Sequence, residues 1–329
     1  HHLPQSDKTL PLISFIITYY NEPIDMIKKC IDSILKLTLS AEEREIIVID
    51  DGSMDKGKDI VVEWQKAHAN LIYHYQDNAG QSLARNHGLG LAQGKYIWFV
   101  DADDEIEVNC LSRLINLSTS HDLDMLLFSD LIRYNDGRPD FSGGYANMRY
   151  NMVCTGEECY RRGFVAYAMS ACIAKKELLT DNHLRFLPKT FGEDAELCYR
   201  LMAYAERVEF IHCTPYIYHV NGNSVTQANM DKTEVVRGKL MDTISVSESL
   251  IALAEKIKKE KPLIASFLKS RAEQIAFGAL YSLWRQRKFL AGELPEMIAI
   301  LKKDRVLPFK ISPLQWKRFL IATFIINRM

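Results

Sequence analysis

Three short stretches carry the side chains most able to do chemistry: Thr18-Tyr19-Tyr20-Asn21-Glu22, Asp50-Asp51-Gly52-Ser53 and Asp101-Ala102-Asp103-Asp104. Carboxylates gathered in one place repel, so the set makes sense where a cation or several hydrogen-bond donors arrive with a ligand. Asp101-Ala102-Asp103 is the sharpest. Hard carboxylate oxygens suit Mg²⁺ or Mn²⁺, which take one or two protein carboxylates and complete their shell with water and phosphate oxygens. One carboxylate of such a pair can hold the metal while the other meets a sugar hydroxyl or a metal-bound water. The plain alternative is a solvated turn in which Asp104 caps the helix starting near Val108. Asp50-Asp51-Gly52-Ser53 also reads two ways. It is either a fixed carboxylate accepting from a nucleobase imide or a ribose, or a turn whose Gly supplies a special backbone angle and whose Ser53 or Asp55 caps a helix.

Strand ends are what would position these groups. Residues 12–18, 44–50, 71–75 and 96–101 are apolar, β-branched runs that read as strands, alternating with helical segments at 25–37, from 55 to about 68, and at 81–92. Ile27, Ile31, Ile34 and Leu35 share one helical face. Strands apolar throughout and alternating with helices predict an α/β fold, a mostly parallel sheet with helices on both faces. In such a sheet ligands bind at the carboxyl ends of the strands, where all three polar stretches fall. Beyond residue 120 the rhythm loosens: 125–129 reads as a fifth strand, 135–149 as a long loop, and 207–212 and 216–219 as short strands broken at Pro215. Helical spacing then covers 233–258, 263–286, 294–303 and 313–327, punctuated by Pro262, Pro295, Pro308 and Pro313. The expected organisation is a tail at 1–10 with His1-His2 as a tag remnant, an α/β catalytic domain at 11–230 and a helical C-terminal domain at 231–329.

Composition excludes several classes. The 329 residues carry 41 Lys+Arg against 42 Asp+Glu, 47% hydrophobic and 25% charged, which is ordinary for a globular protein and argues against a nucleic-acid partner. Seven scattered cysteines without a C-x-x-C pair indicate neither a disulfide framework nor a zinc ribbon, and fit a reducing compartment. The N-terminus shows no secretory leader pattern, and no apolar run reaches the roughly 20 residues of a membrane-spanning helix. Gly88-Leu89-Gly90-Leu91-Ala92-Gln93-Gly94 lies inside a helical segment and precedes a strand, so it is no dinucleotide fingerprint, and no Walker A motif is present.

Four ordered motifs resemble the signature of glycosyltransferase family 2: residues 16–22 (IITYYNE), 48–55 (VIDDGSMD), 78–88 (NAGQSLARNHG) and 99–104 (FVDADD). The resemblance covers roughly residues 12–226 and implies a GT-A fold and transfer of a sugar from a nucleotide donor, by resemblance UDP-linked, with inversion at the anomeric carbon. Carried over by position, it puts Thr18, Tyr20 and Glu22 in the nucleoside pocket, Asp51 on the base, Arg85 near the diphosphate, Asp101 near the ribose or donor sugar and Asp103 on a divalent Mn²⁺ or Mg²⁺. Phe191-Gly192-Glu193-Asp194 resembles the family's later E-D motif and makes Asp194 the catalytic base, which takes the acceptor hydroxyl's proton as it attacks. The same pair also suits the acid-favouring start of a helix. His219 falls where relatives place a basic residue, for the diphosphate or the metal shell, with a structural histidine as the other reading.

The implied acceptor is a cell-surface polysaccharide or lipid-linked glycan precursor. Charge adds a clue, because Lys302, Lys303, Arg305, Lys310, Lys317, Arg318 and Arg328 against Asp304 alone give residues 302–329 a net +6 and leave −7 for the rest. With Trp316 and Phe319 nearby, residues 307–329 suit peripheral contact with an anionic membrane as well as they suit packing on the core or on a second copy as a homo-oligomer. A cytoplasmic protein, at the inner membrane face where it touches lipid, is the corresponding location. A sugar-phosphate nucleotidyltransferase and a non-catalytic nucleotide-sugar-binding protein are the competing functions.

Overall fold

The computed structural model describes residues 10–54, 57–134, 136–188, 190–220, 233–285, 293–303 and 306–309. The chain divides into two compact units, His1–Pro188 with Tyr204–Asn221 and Lys189–Ala203 with Gly222–Met329.

In the first unit the expected alternation appears as β1 (Ile13–Tyr19), α1 (Ile24–Leu35), β2 (Arg44–Asp50), α2 (Gly57–Ala67), β3 (Leu71–Tyr75), α3 (Gln81–Leu91) and β4 (Tyr96–Asp101). There follow β5 (Glu105–Ile106), α4 (Leu111–Ser120), β6 (Met125–Leu127), β7 (Asp130–Tyr134), β8 (Phe141–Ser142), α5 (Gly156–Arg161), β9 (Cys172–Lys175) and α6 (Lys176–Asp181). After α7 (Glu193–Tyr204), which lies with the second unit through Ala203, β10 (Val208–Phe210) and β11 (Tyr216–Val220) complete it. Seven strands form the main sheet in the order β10-β6-β9-β4-β1-β2-β3. Every residue of β1 and β2 is buried, as a sheet covered on both faces requires.

Register aligns the chemistry. Thr18 sits opposite Asp101 on one side, and Tyr19 opposite Asp50 on the other, so the ends of β1, β2 and β4 lie level. Helix α3 packs unusually close to these strands. A Cβ on Gly88 would stand 2.4 Å from Ile16 Cγ2 and 3.3 Å from an Ile49 side-chain carbon, so only glycine permits that approach. At the far end of α1, Arg44 donates to the carbonyls of Ile34, Leu35 and Leu37 at 2.9–3.1 Å, satisfying groups a helix terminus leaves without partners.

The later strands depart from expectation. β9 runs antiparallel between β4 and β6, and the expected fifth strand stops at Leu127, after which the chain forms β7. A second sheet, β5-β11-β7-β8, holds one of the two late strands, while β10 joins the main sheet. The presumed loop at 135–149 contains β8, which pairs back on β7. These strands are two to five residues long and several carry charges such as Asp130 and Arg133, so their apolar pattern is too brief to register.

The second unit is helical, with α7 joined by α8 (Thr233–Ile257), α9 (Pro262–Arg285) and α10 (Glu293–Lys303). Its core gathers Leu240, Ile244, Phe277, Leu280, Met297 and Leu301, with Val306 and Phe309 buried among them. Glu196, fully buried, is met within α7 by Arg200 Nε at 2.5 Å and Nη2 at 2.6 Å, and by the Ser249 hydroxyl, which ties α7 to α8. The expected boundary at 230, the helix at 313–327 and the tail from 310 onward lie outside the described residues. Among the described residues no helix is long and apolar enough to cross a membrane.

Candidate active site

The β1 and β2 exits are stitched together. Asn21, at φ 58°, donates its N–H to Ser53 Oγ at 2.9 Å and accepts from the Met54 N–H at 2.8 Å. Asp50, fully buried, accepts from the Ser53 N–H at 2.7 Å and the Tyr73 hydroxyl at 2.6 Å. Gly52 holds φ at 88° with its Cα so near Asn78 that a Cβ would stand 2.8 Å from the Asn78 nitrogen. Asp55, the other candidate cap, lies outside the described residues.

Asp51 is 3% exposed and its carboxylate is engaged by the β3–α3 loop. Oδ1 accepts from Gln76 Nε2 at 2.7 Å and the Ala79 N–H at 2.9 Å, and Oδ2 from the Gly80 N–H at 2.8 Å. Asn78 closes the turn by donating to the Asp51 carbonyl at 2.9 Å. The residue expected to read a base therefore has its carboxylate taken up by the β3–α3 loop.

Arg85 and Asp101 meet directly, Nη2 to Oδ1 at 2.8 Å, and Gln81 Nε2 donates to the same oxygen at 2.9 Å. The Arg85 guanidinium also lies over the Phe186 ring, 5.1 Å from its centroid. Thr18 is buried below, and its hydroxyl has no hydrogen-bond partner among the described residues. Tyr20 is 50% exposed, and its N–H donates to Glu22 Oε2 at 2.5 Å.

Electrostatics mark where the acids converge. Burial lifts the Glu22 carboxyl from its usual 4.5 to about 7, with Asp103 and Asp101 adding to the rise against hydrogen bonds from the Tyr20 and Glu22 N–H groups. Burial, Asp101 and Asp103 likewise hold Asp104 well above the ordinary carboxylate range. Asp104 is no helix cap. It is fully buried and accepts from the Tyr216 hydroxyl at 2.6 Å and the His219 N–H at 2.9 Å, while Glu107 caps the short turn that follows. The Tyr216 hydroxyl also receives the Asp101 N–H at 3.0 Å, so β11 braces the β4 exit. Sequence reasoning missed Tyr216, Gln81 and Gln76. Only Tyr216 carried a signal, as an aromatic at a strand start after Pro215.

His219 turns elsewhere, with Nε2 at 2.8 Å from Glu105 Oε1. Among the described residues no three His, Cys, Asp or Glu side chains gather at coordinating distance, so Asp101, Asp103 and His219 do not form a ready-made ligand set. A carboxylate pair without a third protein ligand is still the donor set Mg²⁺ and Mn²⁺ accept when phosphate oxygens complete the shell. Asp194 lies in the first turn of α7, half-buried, beside Glu193 and ahead of Glu196. Three acids at a helix start are favoured by the helix dipole whatever else they do.

The sheet order, the level strand ends and the acidic exits define a GT-A-type α/β protein. The crystal structure of Staphylococcus aureus TarS 1-349 in complex with UDP-GlcNAc has the same fold, with a TM-score of 0.56 at 19% identity over 91% of this chain and 93% of that one. Residues 14–172 match the model of the family described as Glycosyl transferase family 2, and this segment is a domain of that family. It is 31% identical over 228 residues to the uncharacterized glycosyltransferase EpsJ of Bacillus subtilis (strain 168), covering 66% of this chain and 64% of that protein. It is 36% identical over 117 residues to the poly(ribitol-phosphate) beta-glucosyltransferase of Bacillus spizizenii, covering 35% of this chain and 18% of that protein. The chain thus spans less than two thirds of the length of either relative.

Proposed function

We propose that the protein is an inverting glycosyltransferase that moves a sugar from a nucleotide-sugar, UDP-linked, to a hydroxyl of a cell-surface polysaccharide or lipid-linked glycan precursor. The observation that carries this is the convergence of Glu22, Asp101, Asp103 and Asp104 at the aligned ends of β1 and β4, beside Arg85 and the Asp51-braced loop. The site carries excess negative charge that a cation brought with a diphosphate relieves. The TarS complex contains UDP-GlcNAc, which supports the donor class.

In this reading Thr18 and Tyr20 flank the nucleoside, and Asp51 keeps the 76–80 loop in place against it. Arg85 is held by Asp101 with its guanidinium beside the diphosphate. Asp103, with Asp101, would hold a divalent metal, which when bound neutralises charge on the departing nucleoside diphosphate. Asp194 takes the proton of the acceptor hydroxyl. The acceptor oxygen forms its bond to the anomeric carbon from the face opposite the phosphate, and the bond to the phosphate oxygen breaks with its electron pair, which inverts the centre.

A thermal-shift screen of UDP-, GDP- and dTDP-sugars with and without Mn²⁺ tests class, base and metal together. The expected result is a metal-dependent rise in Tm with a UDP-sugar. No rise with any nucleotide-sugar, together with pyrophosphate release from a sugar phosphate and an NTP, would move the protein to the nucleotidyltransferases.

A further inference from the structure

The second sheet carries a feature the donor site does not use. Across β11, β7 and β8 the register pairs Tyr216 with Asp130, Tyr218 with Ile132 and Ile132 with Phe141, and Val220 with Tyr134. Partners in register share a face, and alternate residues along a strand return to it, so these side chains form one stripe while Arg133 and His219 occupy the opposite face. The foot of the stripe is buried and joined to the candidate active site, because Tyr216 bonds Asp104 and the Asp101 N–H. From there it runs outward over four residues of strand, about 13 Å at ~3.3 Å per residue. Tyr218, Ile132, Tyr134 and Val220 are half-buried, Tyr218 resting with one side on the hydrophobic core, and Phe141 on the outermost strand is 56% exposed. Tyr167, 48% exposed, lies near it: burial and the nearby Asp130, Tyr218 and Tyr134 push its phenol up.

We propose that this stripe, centred on Tyr218 and Tyr167, is the acceptor subsite and binds an uncharged pyranose ring of the acceptor glycan. The assignment rests on the glycosyltransferase reading above. A pyranose presents a C–H face and a hydroxyl edge. Tyrosine matches both, with an electron-rich ring face for the C–H groups and a phenol at its rim for the hydroxyls. An acyl chain would find no use for the phenols. A phosphate-bearing acceptor would meet Asp130 and the acidic cluster at the foot, while the neighbouring cation, Arg138 stacked 4.1 Å over the Tyr134 ring, is already paired with Asp136 at 2.7 Å. Continuity with the site through Tyr216 brings a ring on the stripe to the reacting end of the donor.

Saturation-transfer NMR and calorimetry on the full chain test this with the methyl pyranosides of glucose, galactose, mannose and N-acetylglucosamine. Ribitol 5-phosphate serves as the anionic polyol, and UDP with Mn²⁺ forms a separate arm. The wild type is expected to bind at least one pyranoside more tightly than ribitol 5-phosphate. Tyr218→Ala and Tyr167→Ala should each weaken it roughly tenfold, the effect of losing one well-packed aromatic anchor. Tyr218→Phe and Tyr167→Phe, which keep the ring, should stay within about threefold, and their folding guards against a collapsed alanine variant. UDP affinity should not move in any of the four. Preference for ribitol 5-phosphate, no pyranoside binding, or sugar binding unchanged in both alanine variants overturns the proposal. Failure of wild type to bind UDP counts against the glycosyltransferase reading instead and leaves the sugar arm to be judged by itself.

Discussion

Arg85 and Asp101 form a 2.8 Å ion pair in which the cation side chain is 5% exposed and the carboxylate 29%. A guanidinium so deep in the protein depends on its partner. Asp101→Ala would leave it buried against the Phe186 ring with one carboxylate fewer, and Gln81 would lose its acceptor too. Removing one member of a buried pair costs several kcal/mol, and with Asp101 partly in water about 2 kcal/mol is the appropriate expectation. Urea unfolding should show that loss together with loss of nucleotide binding. A variant as stable as wild type would mean that the pair contributes nothing to the fold.

Glu22 makes the metal-free protein pH-sensitive. Its carboxyl sits at about 7 in the fold against 4.5 unfolded, so the fold binds its proton more tightly. That contribution is fully present below pH 4.5 and is lost as pH rises through 7. Glu22→Gln cannot ionise and still accepts from the Tyr20 N–H. Its Tm relative to wild type should therefore rise between pH 5 and pH 8, and added Mn²⁺ should narrow the gap by offsetting the repulsion. A difference in Tm that stays flat across that range would contradict the burial assigned to this group.

Gly88→Ala reverses a familiar sign. Alanine normally stabilises a helix interior by about 1 kcal/mol over glycine. Here the new methyl would overlap Ile16 Cγ2, so overpacking of roughly 1–3 kcal/mol should dominate and the variant should unfold earlier. Pairing it with Ile16→Ala should cost less than the sum of the two single changes, because the second makes room for the first. Additive losses in chemical denaturation would place the strain elsewhere.

What could be read from the chain follows from element length. β1 to β4 are five to seven residues of apolar, β-branched sequence, long enough for their period and burial to speak unaided, and the polar residues at their ends marked the site. β7 and β9 were invisible because a run of four or five residues with Asp130 or Lys175 in it lacks a decisive pattern. Partners joined across long separations were equally hidden. Nothing local announces that Asp104 receives the hydroxyl of Tyr216, 112 residues away, or that Asp51 faces inward to donors 25–29 residues further on. Residue type showed which side chains could matter, whereas their partners depended on β11 and the β3–α3 loop returning to the strand ends.

Asp51 is where that distinction can be measured. Asp51→Ala would strand the Gln76 amide and the Ala79 and Gly80 N–H groups, three donors lost from one acceptor. At about 1 kcal/mol or more for each buried donor, a loss near 3 kcal/mol is expected. Hydrogen exchange should accelerate at residues 79 and 80 before anywhere else in the first unit. Protection unchanged at those two amides would show that the loop holds its shape without the carboxylate.

His219 separates the two accounts of the metal. The resemblance puts Asp103 on a cation and offers His219 a place in its shell or beside the diphosphate, with a structural histidine as the other reading; in the shell, His219 would be needed for metal-dependent binding. The structure instead turns His219 Nε2 to Glu105 at 2.8 Å, and its N–H to Asp104. The backbone contact survives any side-chain change. His219→Gln should therefore leave Mn²⁺-dependent affinity for UDP within about twofold of wild type, since no ligand to the ion is lost. Asp103→Ala should cost the metal dependence itself, because a hard oxygen donor disappears and two carboxylates at most were available. Titration calorimetry of UDP into each variant with and without Mn²⁺ decides the matter: equal loss in both would return His219 to the coordination shell, and loss in Asp103→Ala alone leaves it a strut between β11 and β5.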